Sequence, residues 1–192
     1  IKLRDSLLQK LKKDNNQFPF FNTNVQIITH LDADGLSAGA ILGLALKREN
    51  IGYTLSIIKQ LKKKKIESIL KKIKNNNQII IFMDVGSTQE HIIKNYLKQS
   101  EYIILDHHDP LIKDDDDLSK KQNNNINHVN PHFFGIDGGS EISGAGLSYL
   151  FAKTLNEKNR TLAFLAIIGA VGDFQNKGKL GTFTGLNNQI LE

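Results

Sequence analysis

VQIITHLDADGLSAG, residues 25–39, joins an apolar run to a cluster of groups that no fold needs there. Val25–Ile28, rich in β-branched residues, reads as a buried strand. It ends in His30, Asp32 and Asp34, and Gly35 and Ser37 then open an amphipathic helical run. Unpaired carboxylates this close repel one another, and each costs stability unless a cation or a hydrogen-bond network neutralises it. An N-cap would need one acidic residue, not two and a histidine. The stretch therefore reads as a cation site at the carboxyl end of a strand.

Outward from it, helix and strand alternate. Leu36–Asn50 is helical, with Ala38, Ile41, Leu42, Ala45 and Leu46 toward the core. Gly52–Ile58 is a second strand and Lys62–Lys74 a lysine-rich helix. Gln78–Met83 is a third strand ending at Asp84, Thr88–Leu97 a helix, and Tyr102–Leu105 a strand that runs into Asp106, His107 and His108. Upstream, Leu3, Leu7, Leu8 and Leu11 predict a lead-in amphipathic helix over residues 1–13. Downstream, residues 113–125 (KDDDDLSKKQNNN) read as a mobile polar surface loop. A fifth strand ends near Asn130, and Ser143 caps a helix over Gly144–Leu155. A buried helix over Thr161–Val171 carries Asp173 at its end. The alternation predicts a Rossmann-like α/β domain, a parallel sheet of about five strands with helices on both faces.

Composition narrows the class. The 192 residues, 40% apolar, suffice for one well-buried core, and two would be thin. The net charge of +5 is a modest basic excess, compatible with a polyanionic partner. The absence of cysteine leaves histidine and carboxylate as metal-binding types. No stretch near Ile1 resembles a signal peptide, and the most apolar run, Ala163–Val171, is too short for a bilayer, so a soluble cytoplasmic protein is expected. The start at Ile1 without a Met and the stop at Glu192, just inside an incipient helix, give the expectation of part of a longer protein.

Strands ending at residues 29, 83 and 105 each run directly into acidic or histidine residues. Open parallel sheets bind ligands at that edge, so clusters far apart in sequence are expected to meet. His30, Asp32, Asp34, Asp84, His107, His108 and Asp173 make seven ligand-type groups, too many for one ion once water and substrate are counted. They suit a pair of Mn2+ or Mg2+ ions, roughly 3.5 to 4 Å apart, of the kind that activates water for attack on phosphorus. Mixed imidazole and carboxylate donors favour manganese.

HLDADG, the Asp of FMDVGS, LDHH and the Asp of GAVGD, in that order, resemble the four motifs of the DHH phosphoesterase family. HVNPHFFGIDGGSEISGAGLSYLF is similar to archaeal RecJ-like nucleases in particular. The resemblance implies that His30, Asp32 and Asp84 hold one metal and that Asp34, Asp84, His107 and Asp173 hold the other, with Asp84 bridging. His108 would contact the scissile phosphate, and Asp106 would orient a ligating imidazole. The implied activity is hydrolysis of single-stranded DNA or RNA to mononucleotides, in DNA replication or repair. Short oligoribonucleotides or small nucleotide esters are the alternative substrates. Relatives of this type include the replication-helicase cofactor of eukaryotes, which keeps the fold without nuclease activity, and some bind the GINS complex, so a replisome partner is a further expectation. The family's C-terminal domain, with its glycine-rich GGGH-type motif, grips nucleic acid. That motif is missing here, and a single catalytic domain over residues 1–192 is expected.

Some features keep two readings. DADG also fits aspartate-nucleophile phosphatases, which the later DHH triplet opposes. Asp84 could cap the helix at Thr88, and Asp173 also suits an ordinary helix end. Ser143 and Gly144, in SEISGAG, form either a substrate-binding site for a terminal phosphate at a helix N-terminus or a plain cap with glycines for close packing. The lysines of residues 59–74 either steer single-stranded nucleic acid or form a solvated helix face. His91, His128 and His132 read as surface or structural residues, with His128 and Asn130 near a strand end beside the cleft. Asp114–Asp117 lack the Gly and distal Glu of a calcium loop.

Overall fold

The computed structural model describes residues 25–72, 78–98, 100–111 and 127–192. The expected helix over residues 1–13 and the polar stretch over 113–125 lie outside these residues. The expected parallel sheet forms. It comprises β1 (Val25–His30), β2 (Tyr53–Ile58), β3 (Ile79–Met83), β4 (Glu101–Leu105) and β5 (His128–Val129), in the order β2-β1-β3-β4-β5. Every neighbouring pair is parallel. The helices are α1 (Ala33–Arg48), α2 (Lys63–Lys72), α3 (Glu90–Tyr96), α4 (Gly144–Leu155), α5 (Ala163–Gly172) and α6 (Gly185–Leu191).

Both faces of the sheet are covered, because alternate strand side chains feed two separate cores. Val25 and Ile27 of β1, with Ile79 and Ile81 of β3, pack under α1, α4 and α5 beside Ile41, Leu42, Ala152 and Ala166. Ile28, Ile80, Phe82 and Ile104 point the other way, onto Ile66 of α2 and Ile93 of α3. That two-sided burial explains why the central strand is an unbroken apolar run, Ile79–Met83, rather than an alternating one.

Register carries the site. Thr29 pairs with Met83, Met83 with Leu105 and Leu105 with Val129, so the next residues, His30, Asp84, Asp106 and Asn130, follow one row at the carboxyl edge. His30 and Asn130, a hundred positions apart, are thereby set in one row at the edge where such sheets bind ligands.

Three local differences from the sequence reading matter. Helix α1 starts at Ala33, because Asp32 is its N-cap and accepts the Gly35 N–H at 2.9 Å, which puts Asp34 inside the first turn. Helix α3 is shorter than expected and is preceded by a 3-10 turn over Ser87–Gln89. The segment expected as a buried helix, observed as α5, buries only one side: Phe164, Ile168 and Val171 are exposed. Among the described residues no helix is long and apolar enough to cross a membrane.

Candidate metal centre

Four chain segments converge at the strand ends. The end of β1 brings His30 and Asp32, and the first turn of α1 brings Asp34. Asp84 follows β3 in the left-handed region, φ +55°, a conformation that costs a non-glycine residue energy and marks a position fixed by its surroundings. Asp106, His107 and His108 follow β4, and Asp173 is the C-cap of α5.

The side chains meet around Asp84. One of its oxygens, Oδ2, lies 3.8 Å from His30 Nδ1, which is 2.5 Å from Asp32 Oδ2. The other, Oδ1, lies 3.1 Å from His107 Nε2, which is also 3.6 Å from Asp34 Oδ2 and 3.8 Å from Asp173 Oδ2. The donor atoms of His30, Asp32 and Asp84 all lie within 4.8 Å of one another, as do those of Asp34, His107 and Asp173. Asp84 stands between the two groups. A third set of the same kind shares Asp84 and His107 with them and adds His108.

Helices α4 and α5 close on this cluster because glycines let them. A Cβ on Gly144 would sit 2.8 Å from the Cβ of Asp84, and one on Gly169 would sit 2.4 Å from both Asp34 Oδ1 and the Cβ of Ala145. Gly144 N–H and Ala145 N–H donate to Asp34 Oδ2 and Oδ1 at 2.6 and 2.9 Å. The anion at the N-terminus of α4 is therefore the Asp34 carboxylate. Of the two readings of Ser143 and Gly144, the cap is the one seen here: Ser143 is fully buried and its oxygen accepts the Gly146 N–H.

The imidazoles are held by partners other than those expected. His107 Nδ1 donates to the Gly138 carbonyl at 2.6 Å, which leaves Nε2 for the cluster. Gln175 anchors the same carbonyl at 2.8 Å and reaches Asp173 Oδ2 at 2.8 Å, and Asn187 of α6 holds Gln175 at 2.6 Å. Asp106, expected to orient a ligating imidazole, holds His108 instead, Oδ1 to Nδ1 at 2.7 Å, while Oδ2 accepts the Ser87 N–H at 2.7 Å. Gln175, Asn187, Ser87 and Gly138 escaped the sequence reading. Two of them lie close to a motif residue, Ser87 three after Asp84 and Gln175 two after Asp173, and that proximity was the available signal.

Charge is out of balance in this cluster. Burial pushes the Asp84 carboxyl up to about 8, further raised by Asp34, with His107 opposing. Burial likewise raises Asp34, against His107 and the Ala145 amide. His107 moves the other way: burial would lower it, but Asp84 and Asp34 beside it drive it up to about 10. At Asp32, burial is outweighed by the Gly35 amide and His30, which hold it low. Asp106 is held down at about 2 by His108 despite complete burial, and His108 is raised by Asp106 in return. Asp84 is 1% exposed, yet neither carboxylate oxygen has a hydrogen-bond partner, and neither does His107 Nε2. Buried carboxylates without donors call for a cation, and the mixed carboxylate–imidazole donors facing one another fit divalent transition ions.

Beside the cluster opens a cleft of about 320 Å³, lined among others by His30, Lys59, Lys62, Thr88, Gln89 and His108. It is within the size range of small-molecule sites.

The sequence matches the DHH family, N-terminal domain, over residues 24–170. An uncharacterized protein of Methanocaldococcus jannaschii is 41% identical over 169 residues, covering 88% of this chain and 37% of its own length. Among solved structures, exonuclease RecJ bound to manganese superposes with a TM-score of 0.71 at 19% identity, over 99% of this chain and 45% of that one. RecJ of Thermus thermophilus in complex with Mn2+ gives 0.69 at 20%, over 99% and 25%. CDC45 of Entamoeba histolytica gives 0.64 at 15%, over 90% and 32%. The chain thus spans less than half the length of each of these relatives. The fold is that of the RecJ DHH domain, and the chain belongs to the DHH family.

Proposed function

We propose that this chain is the catalytic domain of a metal-dependent phosphodiesterase of RecJ type, an exonuclease that hydrolyses single-stranded DNA or RNA to mononucleotides. The observation that carries the reading is the buried, donor-free carboxylate of Asp84 standing between two groups of metal-type side chains. In this reading His30, Asp32 and Asp84 hold one divalent ion, and Asp34, Asp84, His107 and Asp173 hold a second. Manganese suits the donors best and magnesium is the alternative. When bound there, such ions acidify water and neutralise phosphate charge.

The remaining work falls to the protein. His108, with Nδ1 taken by Asp106, offers Nε2 to a phosphate oxygen and stabilises the charge that builds up there as the phosphodiester is attacked. Asp106 raises the proton affinity of this imidazole, which favours the donor form. Lys59 and Lys62 line the cleft, where a cationic wall attracts a phosphate backbone. Asp34, 1% exposed and held by two amides, keeps one donor group in place whether or not substrate is present.

The test is a nuclease time course with manganese on 5′- and 3′-labelled DNA and RNA of several lengths. Mononucleotide release from one end is expected, and Asp84→Ala should abolish it. Undiminished digestion by that variant would end the proposal, and cleavage confined to substrates of a few nucleotides would select the small-substrate alternative. The likeness in fold to CDC45 supports a second role, docking on replisome proteins such as GINS. A pull-down comparing wild type with the Asp84→Ala variant separates docking from catalysis.

A further inference from the structure

Ser87, His128 and Asn130 lie behind the cleft, and the chemistry above assigns them nothing. Their polar atoms form one connected chain of contacts. Ser87 Oγ is 2.9 Å from His128 Nε2 and accepts Asn130 Nδ2 at 2.8 Å. His128 Nδ1 is 3.3 Å from Glu90 Oε2, and the other Glu90 oxygen meets Lys94 at 2.7 Å. Asn130 Nδ2 also donates to the His108 carbonyl at 2.8 Å. One proton assignment serves all of them. With the Nδ1 proton turned toward the Glu90 carboxylate, which lies at ion-pair distance and makes no hydrogen bond to it, His128 Nε2 accepts the Ser87 hydroxyl, and the Ser87 oxygen accepts the Asn130 amide. The edge of Phe133, 5.0 Å away between ring centres, fixes the His128 ring.

Serine, histidine and acid in contact order are the residue types of a nucleophilic triad. Here Ser87 is 1% exposed and its oxygen is engaged on both sides, so no substrate reaches it. Its main-chain amide, however, donates to Asp106 Oδ2, and Asp106 Oδ1 accepts both His108 Nδ1 and the His108 N–H. The turn that carries Ser87 also contains two positive-φ residues, Asp84 at +55° and Gly86 at +126°. Such a turn keeps its shape only where neighbours over-determine it.

We propose that Ser87, His128 and Asn130 are positioning residues: their buried side-chain network pins the 84–87 turn and, through the Ser87 amide and Asp106, fixes the His108 ring with Nε2 left for a phosphate oxygen. The role given to His108 rests on the phosphodiesterase reading; the positioning itself does not.

The experiment compares His128→Phe, which keeps a ring but loses both nitrogens, with His128→Gln, whose amide oxygen can accept the Ser87 hydroxyl, and with Ser87→Ala. In manganese-dependent hydrolysis, kcat should fall roughly 10- to 100-fold in His128→Phe and Ser87→Ala, the usual loss when an orienting partner is removed. KM and manganese affinity should stay within about threefold of wild type, and His128→Gln should recover most of kcat. A second readout needs no activity: by NMR hydrogen exchange, the Ser87 and His108 amides, both donated to Asp106, should exchange roughly 10-fold faster in His128→Phe and Ser87→Ala than in wild type and in His128→Gln. Unchanged exchange at those two amides in both His128→Phe and Ser87→Ala overturns the proposal. So does a loss of kcat matched by an equal loss of manganese affinity that His128→Gln fails to recover. A wild-type protein that cleaves no phosphodiester removes the function proposed above and leaves the exchange comparison to decide the positioning.

Discussion

Asp84→Asn separates a metal ligand from a member of an ordinary buried ion pair. In the ion-free protein both Asp84 oxygens lack hydrogen-bond donors and the carboxyl is pushed up to about 8, so near neutral pH the uncharged form is favoured. Asparagine has that shape and no charge. Its effect on the ion-free protein should therefore be small, below about 2 kcal/mol, which for a chain of this size is a melting shift under roughly 4 to 8 °C. Manganese at a hundred times its dissociation constant should stabilise the wild type by about 2.7 kcal/mol, or roughly 5 to 11 °C. The variant should lose most of that gain. Thermal unfolding followed by circular dichroism, with chelator and then with manganese, supplies all four values. Two outcomes would refute the reasoning. A variant that gains as much from manganese as wild type does not use Asp84 as a ligand. One that unfolds more than about 10 °C lower in chelator has lost a structural pair with His107, worth the several kcal/mol typical of a broken buried pair.

Other outcomes follow from neighbouring geometry. Burial raises the Glu90 carboxyl, but His128 and Lys94 more than reverse it and hold it at about 2 against an ordinary 4.5. The contribution is then fully present above pH 4.5 and lost as pH falls through 2, at most about 3 kcal/mol. The difference in unfolding free energy between wild type and Glu90→Gln should be flat above pH 5 and shrink below about 4 in denaturant titrations. Gly169→Ala gains up to about 1 kcal/mol of helix propensity but sets a methyl 2.4 Å from Asp34 Oδ1 and Ala145, an overpacking worth about 1–3 kcal/mol. Packing wins, and both melting temperature and calorimetric manganese affinity should drop; an unchanged affinity would show that Asp34 tolerates displacement. Gln175→Leu removes the amide that ties Gly138 to Asp173 and strands Asn187, so manganese affinity should fall roughly 10- to 100-fold. Equal affinity by calorimetry would reduce Gln175 to packing.

The sheet edge was legible because its signal is local and repeated: an apolar run followed at once by Asp or His, at His30, Asp84 and Asp106. In-register parallel pairing then sets those positions in one row. What sequence could not show is how each polar group is used. Asp32 and Asp34 look alike in HLDADG, yet one is a half-exposed N-cap and the other is buried against two amides from a helix that begins 110 residues later. The SEISGAG glycines have the composition of an anion site, and they do meet an anion, one supplied by the chain itself. His128 carries no motif; it matters because β5 pairs with β4 over two residues and brings it under Ser87. Long-range partners of this kind leave no periodicity to read.

In the proposed reading, charge counting favours two ions over one. Asp106 is matched by His108 at 2.7 Å and drops out of the balance. Four carboxylates remain, Asp32, Asp34, Asp84 and Asp173, facing two imidazoles, His30 and His107. With all four ionised, as ligation requires, even two protonated imidazoles would leave an excess of negative charge, and protonated imidazoles cannot ligate. One divalent ion over neutral imidazoles leaves the same excess, whereas two cancel the four carboxylates. In that reading an incoming phosphodiester anion would meet a neutral cluster beside His108, whose proton affinity Asp106 raises, not a wall of carboxylates. The amides of α4 do not alter this count, since they orient Asp34 without removing its charge, and burial still raises its carboxyl. In the proposed reading, four acidic groups held this close by two strand ends and two helices are balanced as an ion-loaded unit, and the groups most costly to the bare fold are the ones its topology brings together.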